Sequence, residues 1–224
     1  YDRRRFETFT ATDGVGSDFI TTLMEDRDGV LWIGTRTGLS RYEGAHWTTF
    51  TPRDGLPSTY VFTVLQDRTG TLWFGTAGGL VRYDGGELGI FTAEDGMAQD
   101  QAHWVVEGLD GDLWIKGFIG NLGSRYDGET FTPFTLGDSL DIYLQLSTAV
   151  DGKGHVWFPT GCCGVVRYDG HDFSILTAND GLPSDQVGSV AVDQSGHVLF
   201  VTPEGISRYD GATITPLVLF SGSE

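Results

Sequence analysis

The chain has 224 residues with 33 glycines, 7 prolines and 39% hydrophobic residues, a composition that can bury a core and that excludes collagen-like and proline-rich disordered chains. Its 31 acidic and 14 basic residues give a formal net charge of −17, which repels phosphate backbones and anionic lipids and disfavours nucleic acids and membrane surfaces as partners. No apolar run approaches the roughly 20 residues that a spanning helix needs, so we expect no membrane insertion by this segment.

A repeat of about 42 residues organises the chain. Each copy carries Arg-Tyr-(Asp/Glu)-Gly, and successive tyrosines lie 41 to 43 residues apart. Two further markers keep this spacing: an Asp that is usually followed by Gly, and a Leu-Trp or Val-Trp pair that becomes Val-Leu in the last copy. Three markers in register predict five repeats, with approximate boundaries at 13–53, 54–94, 95–137, 138–179 and 180–220.

The second repeat shows the predicted elements in chain order. An Asp-Gly-Leu-Pro-Ser turn precedes four apolar runs, at 61–67, 71–76, 80–83 and 87–92, which are bounded by Gly, Asp or Pro. Such runs are typical of strands, and no stretch shows a sustained helical period. Four short strands in about 42 residues is the length of a β-propeller blade. The sequence therefore predicts an all-β fold, a β-propeller of four-stranded antiparallel blades in which 1–224 is a single domain.

The two ends of the chain bear on how such a ring would close. Residues 1–12 align with the last strand of a blade, so we expect an N-terminal closing strand there. The fifth repeat also carries its own last strand, at 212–219, which leaves one outer strand in surplus. A closed five-bladed ring is favoured, because each blade needs a neighbour to cover its face. The alternatives are a C-terminal segment displaced to a partner, or a piece of a longer array.

The second repeat also carries a resemblance to a known family. Its run VFTVLQDRTGTLWFGT at 61–76, followed by GLVRYD at 79–84, resembles the two-component regulator propeller repeat. In that family such repeats build the periplasmic sensor portion of hybrid histidine kinases, usually as seven-bladed rings. The resemblance implies a periplasmic or extracellular module that binds a ligand or a partner. This chain departs from the family pattern, since it has five repeats and no accompanying kinase, transmembrane or DNA-binding segment.

Differences between the repeats predict where a ligand binds. The connection after the Trp strand is a plain Gly-Thr-x-x-Gly in the first two repeats but is longer in the third and the fourth. It shares a face with the loops that enter the inner strands, and propellers usually bind ligands where such loops converge. Aromatic and amide groups there suit a small molecule, a glycan or a peptide, with Lys116 as a rare positive charge, although neutral loop drift would give the same differences. The candidate mouth residues are Phe19, Tyr60, His103, Lys116, Phe118, Asn121 and Tyr143.

No motif predicts a catalytic residue, a metal site or a cofactor. His155 and His197 occupy equivalent turns of separate blades, and we expect them to lie far apart at the rim. His103 is on an inner strand and could face the channel, but a single histidine makes neither a metal site nor a catalytic site. The acidic turns lack the ligand spacing of a calcium loop.

The two cysteines, Cys162 and Cys163, are adjacent. Neighbouring Cα atoms lie about 3.8 Å apart, below the roughly 4.4–6.8 Å of an ordinary disulfide, so a bridge here would be a strained, rigid ring. An oxidising compartment favours this vicinal disulfide, and the cytosol favours two thiols. Alternatively, both cysteines are simply small residues that replace the glycine-rich turn of the other copies.

Three functions compete for this sequence. The first is a non-catalytic propeller that binds a ligand or another protein. The second is a lyase, because streptogramin lyases are propellers with similar blade sequences that use a histidine with a magnesium ion; His103 would take that role, without a second channel-facing histidine or carboxylate cluster. The third is a structural or adhesive subunit that self-assembles through the surplus strand at 212–219.

Overall fold

The computed structural model describes residues 8–117, 122–136 and 148–219. Within these ranges the backbone forms strands joined by turns and short 3₁₀ helices, and the strands assemble into five four-stranded sheets. In each sheet the strands that are neighbours in sequence are also neighbours in space, and they run antiparallel. The prediction of an all-β fold with five four-stranded units is therefore confirmed.

The strands follow the five repeats in order. The first two sheets hold β1 (Ile20–Glu25), β2 (Leu31–Thr35), β3 (Leu39–Glu43), β4 (His46–Phe50), β5 (Val61–Gln66), β6 (Leu72–Thr76), β7 (Gly79–Asp84) and β8 (Glu87–Phe91). The third holds β9 (Trp104–Glu107), β10 (Leu113–Lys116), β11 (Leu122–Tyr126) and β12 (Phe131–Thr135). The last two hold β13 (Ala149–Val150), β14 (Val156–Pro159), β15 (Val165–Tyr168), β16 (Phe173–Leu176), β17 (Ser189–Val192), β18 (Val198–Thr202), β19 (Gly205–Tyr209) and β20 (Ile214–Leu219).

The chain divides into two compact units. The first contains Tyr1–Asp95 and Asp100–Val105, and the second contains Gly96–Gln99 and Val106–Glu224, so the boundary crosses β9. Each unit has a core of its own, built around the repeated Trp strand and the strands beside it. The closed ring and the single domain over 1–224 stay predictions.

The structure confirms one of the two predicted outer strands. The strand expected at 212–219 is present as β20, which pairs with β19 and completes the fifth sheet. Most of the N-terminal strand expected at 1–12 lies outside the described residues, and Ala11–Asp13 is a 3₁₀ helix.

The Arg-Tyr-Asp-Gly marker builds the turn between the third and fourth strands of a sheet. In the fourth repeat the Tyr168 hydroxyl donates to the carbonyl of Gly170 over 2.8 Å. The Asp169 carboxylate accepts from the backbone amides of His171 and Asp172, as short polar side chains do in tight turns. The same bonds recur around Tyr126 and Tyr209. The marker is thus a turn motif that closes on itself.

A second motif joins the first hairpin of a sheet to its tryptophan. The Asp67 carboxylate accepts from the indole Nε1 of Trp73 over 2.8 Å, and also from the backbone amides of Thr69 and Thr71. Asp26 with Trp32 and Asp151 with Trp157 repeat the arrangement. Since a buried indole N–H needs an acceptor, each Asp both shapes its turn and allows the tryptophan to be buried.

This motif predicts a loss of stability in acid. Burial of Asp151 raises the pKa of its carboxyl, but hydrogen bonds from Trp157, Lys153 and His155 outweigh burial and hold the pKa below its ordinary value. The stabilisation is then fully present above the unfolded-state pKa, about 3.9, and is lost as the pH falls through the lower folded-state pKa. We expect the melting temperature to fall below about pH 4, and Asp151→Asn to make that fall shallower. Glu204→Gln, at an exposed position, is the control; if it flattens the profile equally, the effect is general charge repulsion.

Candidate functional site

A continuous row of stacked side chains lies in the first unit. The guanidinium carbon of Arg36 is 3.4 Å from the ring centroid of Phe19, and its Nε donates to the Tyr60 hydroxyl over 2.8 Å. From Tyr60 the ring contacts continue to Phe62 at 4.7 Å, to His103 at 3.8 Å and on to Trp104 at 4.4 Å between centroids. We call these six side chains the aromatic row: Phe19, Arg36, Tyr60, Phe62, His103 and Trp104. Three of the predicted mouth residues are therefore brought together.

The loops that enter the inner strands position this row. Phe19 and Tyr60 come directly before β1 and β5, and each donates its backbone N–H to a serine two residues earlier, at 3.0 and 3.1 Å. The Asp18 carboxylate also accepts from the backbone amide of Ala11 over 2.7 Å, which ties the loop to the preceding 3₁₀ helix. Because these bonds form within each loop, the aromatic side chains are held before any ligand arrives.

The aromatic row presents both exposed ring surfaces and hydrogen-bonding groups to a ligand. Phe19 is 49% exposed, Arg36 is exposed, and Tyr60, Phe62 and His103 are half-buried. A guanidinium stacked on aromatic rings keeps its charge and several N–H donors while its plane is covered. The arrangement can therefore receive a flat, apolar face and bond polar groups at the edge of that face.

Lys116 has a different environment, inside the second unit. Its side chain is almost fully buried, with 2% exposure, and its Nζ donates to the carbonyl of Gly117 over 3.3 Å. Burial disfavours the charged amine and lowers the pKa of Lys116 to about 8. The role of Lys116 as a positive charge for a ligand stays a prediction, and the exposed cation that the structure places beside the aromatic side chains is Arg36. The other three mouth candidates, Phe118, Asn121 and Tyr143, lie outside the described residues.

Cys162 and Cys163 form a disulfide in the connection between β14 and β15, with Cα atoms 3.8 Å apart. The backbone N–H of Cys163 donates to the Thr160 hydroxyl over 2.9 Å. On either side, the amides of Gly161 and Gly164 donate to carbonyls of the segment that enters β17, at 3.0 and 2.7 Å. The vicinal ring is thus fastened into the second unit through its flanking backbone.

The structure corrects one expectation about the histidines. His155 and His197 do not lie far apart, because both line a single cavity in the second unit. The fourth and fifth sheets pack side by side through β13, β14 and β17, so equivalent turns of successive repeats come together.

The structure also adds residues that the sequence analysis passed over. Arg36 lies in the connection that was described as a plain Gly-Thr-x-x-Gly, and Phe62 was not among the candidate mouth residues. A signal for Arg36 was present, since the second repeat has Ala77 at the same position of Gly-Thr-x-x-Gly. The mouth candidates were chosen because the repeats differ at those positions. The presence of a large cation at this exposed turn in one repeat is a difference of the same kind.

The described ranges contain neither a cluster of metal-ligating side chains nor a membrane-spanning helix. There, no group of three or more His, Cys, Asp or Glu side chains could hold a metal ion. None of the helices in those ranges is long and apolar enough to cross a membrane.

Sequence comparison identifies the repeats. The two component regulator propeller family matches residues 14–37 and 55–78, which lie in the first and second repeats. The resemblance of the second repeat to this family is confirmed, and the first repeat matches the same family. No curated protein sequence matches the chain.

Solved structures share the fold at low identity. The extracellular domain of the hybrid two component system BT3049 from B. thetaiotaomicron superposes with a TM-score of 0.77 at 15% identity, over 96% of this chain and 32% of that one. Virginiamycin B lyase from Staphylococcus aureus gives 0.74 at 16%, over 91% and 71%. PorZ, a surface component of the type-IX secretion system of Porphyromonas gingivalis, gives 0.65 at 17%, over 94% and 35%. The chain thus spans about a third of the length of the BT3049 extracellular domain.

Proposed function

We propose that this chain is a non-catalytic ligand-binding module of a sensor, located in the periplasm or outside the cell, and that its ligand stacks on the aromatic row. The observation that carries the proposal is the unbroken contact from Phe19 through Arg36 and Tyr60 to His103. The regulator-type repeats and the similarity to an extracellular sensor domain support the location and the sensory role.

The chemistry of the row favours a neutral oligosaccharide. A pyranose ring has an apolar face of C–H groups that can cover an aromatic ring, and its hydroxyls lie at the edge, where Arg36 and Tyr60 can bond them. Burial of such a face stabilises the complex by about 25 cal/mol per Å² of apolar surface. The net charge of −17 disfavours an anionic polymer as the ligand.

The test is oligosaccharide binding by calorimetry with the variant Arg36→Ala. We expect its affinity for a neutral oligosaccharide that the unmodified protein binds to fall about three- to tenfold, because the variant loses a stacked guanidinium and its donors. The fold should tolerate this change, since the second repeat has Ala77 at that position. Arg53→Ala is the matched control, because it removes the same charge from an exposed residue outside the row.

Two results would contradict the proposal. One is that the unmodified protein binds none of a panel of neutral oligosaccharides, or that the Arg36→Ala variant binds them with the same affinity as the unmodified protein. The other is turnover of virginiamycin B that His103→Ala abolishes, which would establish the lyase alternative. That alternative is favoured by the place of His103 in the row and by similarity in fold to virginiamycin B lyase.

A further inference from the structure

The cavity that brings His155 and His197 together lies in the second unit and measures about 290 Å³. Two hairpin turns form one part of its wall, the turn from β13 to β14 and the turn from β17 to β18. The end of β15 and the turn after β19 form the rest. Its basic side chains are Lys153, His155, Arg167 and His197.

The carboxylates that line this cavity, Asp151 and Asp210, and the neighbouring Asp193 already accept hydrogen bonds within their own turns. Asp151 accepts from the Trp157 indole, from His155 Nδ1 at 2.9 Å and from two backbone amides. Asp193 accepts from His197 Nδ1 at 3.1 Å and from two amides, and Asp210 accepts from the turn that follows it. These bonds hold the pKa of Asp210 at about 2, so it stays ionised with its acceptors occupied.

The two Asp–His contacts also determine what the imidazoles can do. An ionised carboxylate only accepts hydrogen bonds, so each histidine donates from Nδ1 and keeps its Nε2 for another partner. Each imidazole is thereby oriented by its own turn, as histidines that hold a ligand commonly are. Two oriented imidazoles therefore line one cavity.

The long cations at this cavity form fewer hydrogen bonds than the carboxylates do. The Nε of Arg167 is buried and has no hydrogen-bond partner among the described residues, as is also true of the equivalent Arg41 and Arg208, while its Nη2 forms an ion pair with Asp169 at 3.8 Å, longer than a hydrogen bond. In the described part of the chain no carboxylate lies within 4.0 Å of the Lys153 ammonium, and a Cβ added at Gly211 would lie 3.0 Å from its Nζ. A buried donor without an acceptor costs free energy that an added acceptor would recover.

The first unit contains the equivalent cavity with different side chains. It is lined by Asp26, Arg41, Tyr83 and Asp84, the counterparts of Asp151, Arg167, Tyr209 and Asp210. Where the second unit has Lys153 and His155, however, the first unit has Asp28 and Val30. The packing of two blades therefore creates the cavity without lysine or histidine, and these basic residues are particular to the second unit.

We propose that the cavity of the second unit binds a small tetrahedral oxyanion, a phosphate or sulfate group. Such a group supplies acceptors for the Lys153 ammonium and the Arg167 guanidinium, and it can accept from a histidine Nε2–H when the imidazole is protonated. The site is separate from the aromatic row and does not depend on the function proposed for that row.

The experiment uses the five histidines as built-in reporters. Inorganic phosphate is titrated at constant ionic strength, with sodium chloride as the balancing salt, and the imidazole signals are followed by proton–carbon NMR. We expect the signals of His155 and His197 to shift saturably, while those of His46, His103 and His171 stay in place. Sulfate in a second titration tests whether the site accepts tetrahedral oxyanions in general.

Variants that replace the basic residues of the cavity test whether phosphate binds there. The triple variant Lys153→Asp/His155→Val/His197→Thr installs the residues of the first two repeats, Asp28, Val30 and Thr71. Loss of charge-assisted hydrogen bonds should weaken phosphate binding at least about tenfold, with the melting temperature little changed. For this variant Trp and Tyr fluorescence reports binding, and the exposed single variant Lys153→Asp keeps the NMR test available if the triple variant folds poorly.

Three outcomes overturn the proposal. They are no saturable shift at millimolar phosphate, a parallel shift of all five histidines, and unchanged affinity in Lys153→Asp. Because the readout is phosphate and not oligosaccharide, its failure leaves the proposal for the aromatic row unaffected.

Discussion

Replacing Trp157 with alanine is expected to lower the free energy of unfolding by about 4 kcal/mol. The indole has no exposed surface and packs against Phe200 and Tyr209, with ring centroids 5.5 Å away in both cases. Removal of so large a side chain leaves a cavity that neighbouring strands can fill only in part. It also takes one hydrogen bond from the buried Asp151 carboxylate.

Two further variants at this position separate packing from hydrogen bonding. Trp157→Phe keeps most of the apolar contact but removes one hydrogen-bond donor to Asp151. We therefore expect the free energy of unfolding to fall by about 1–3 kcal/mol. Trp157→Leu copies the fifth repeat, where Leu199 takes the tryptophan position and Asp193 bonds His197 instead. Urea denaturation measures the free energy of unfolding of all three Trp157 variants. A loss below about 1 kcal/mol for Trp157→Ala would contradict the structure of this core.

Gly164→Ala is expected to lower the free energy of unfolding by about 3 kcal/mol or more, because the new side chain both clashes with its surroundings and strains the backbone. Gly164 has φ of +92°, and a Cβ there would stand 2.1 Å from the carbonyl oxygen of Leu176 on the neighbouring strand. The clash is with backbone, so β15 and β16 would have to separate at Val165 and Leu176.

Gly128→Ala is the matched control in the same unit. Gly128 has a similar φ of +99°, but a Cβ there would meet nothing within 4 Å. This variant should therefore lower the free energy of unfolding by only about 1 kcal/mol, from the strain of the left-handed conformation. The difference between the two variants, measured by thermal and urea unfolding, isolates the clash. Equal costs would mean that the close approach of Gly164 to Leu176 is absent in solution.

Much of the fold could be predicted from local sequence, because the repeat markers act locally. Tyr168 bonds a glycine two residues later, and Asp67 bonds its own hairpin and the tryptophan six residues on. Bonds of such short range make the same turn in each repeat, which is why spacing alone indicated five four-stranded units.

The candidate site was predicted only in part, because binding surfaces join residues from different repeats. Phe19 and Tyr60 were found as variable positions in the loops that enter the inner strands, and His103 as a histidine expected on an inner strand. Arg36 was missed because its side chain reaches from its own turn to the Tyr60 hydroxyl of the next repeat, 24 residues away. Alternation of residue types along one repeat carries no information about such a contact.

The sequence by itself determined the strand content, the number of repeats, the turn chemistry and the acidic charge of this protein. These depend on residues close together in the chain, where hydrogen-bonding groups and hydrophobic spacing act directly. The packing of one sheet on the next decided the remainder, because it selects which equivalent positions meet. It buried Lys116, stacked Arg36 between Phe19 and Tyr60, and placed His155 and His197 in one cavity.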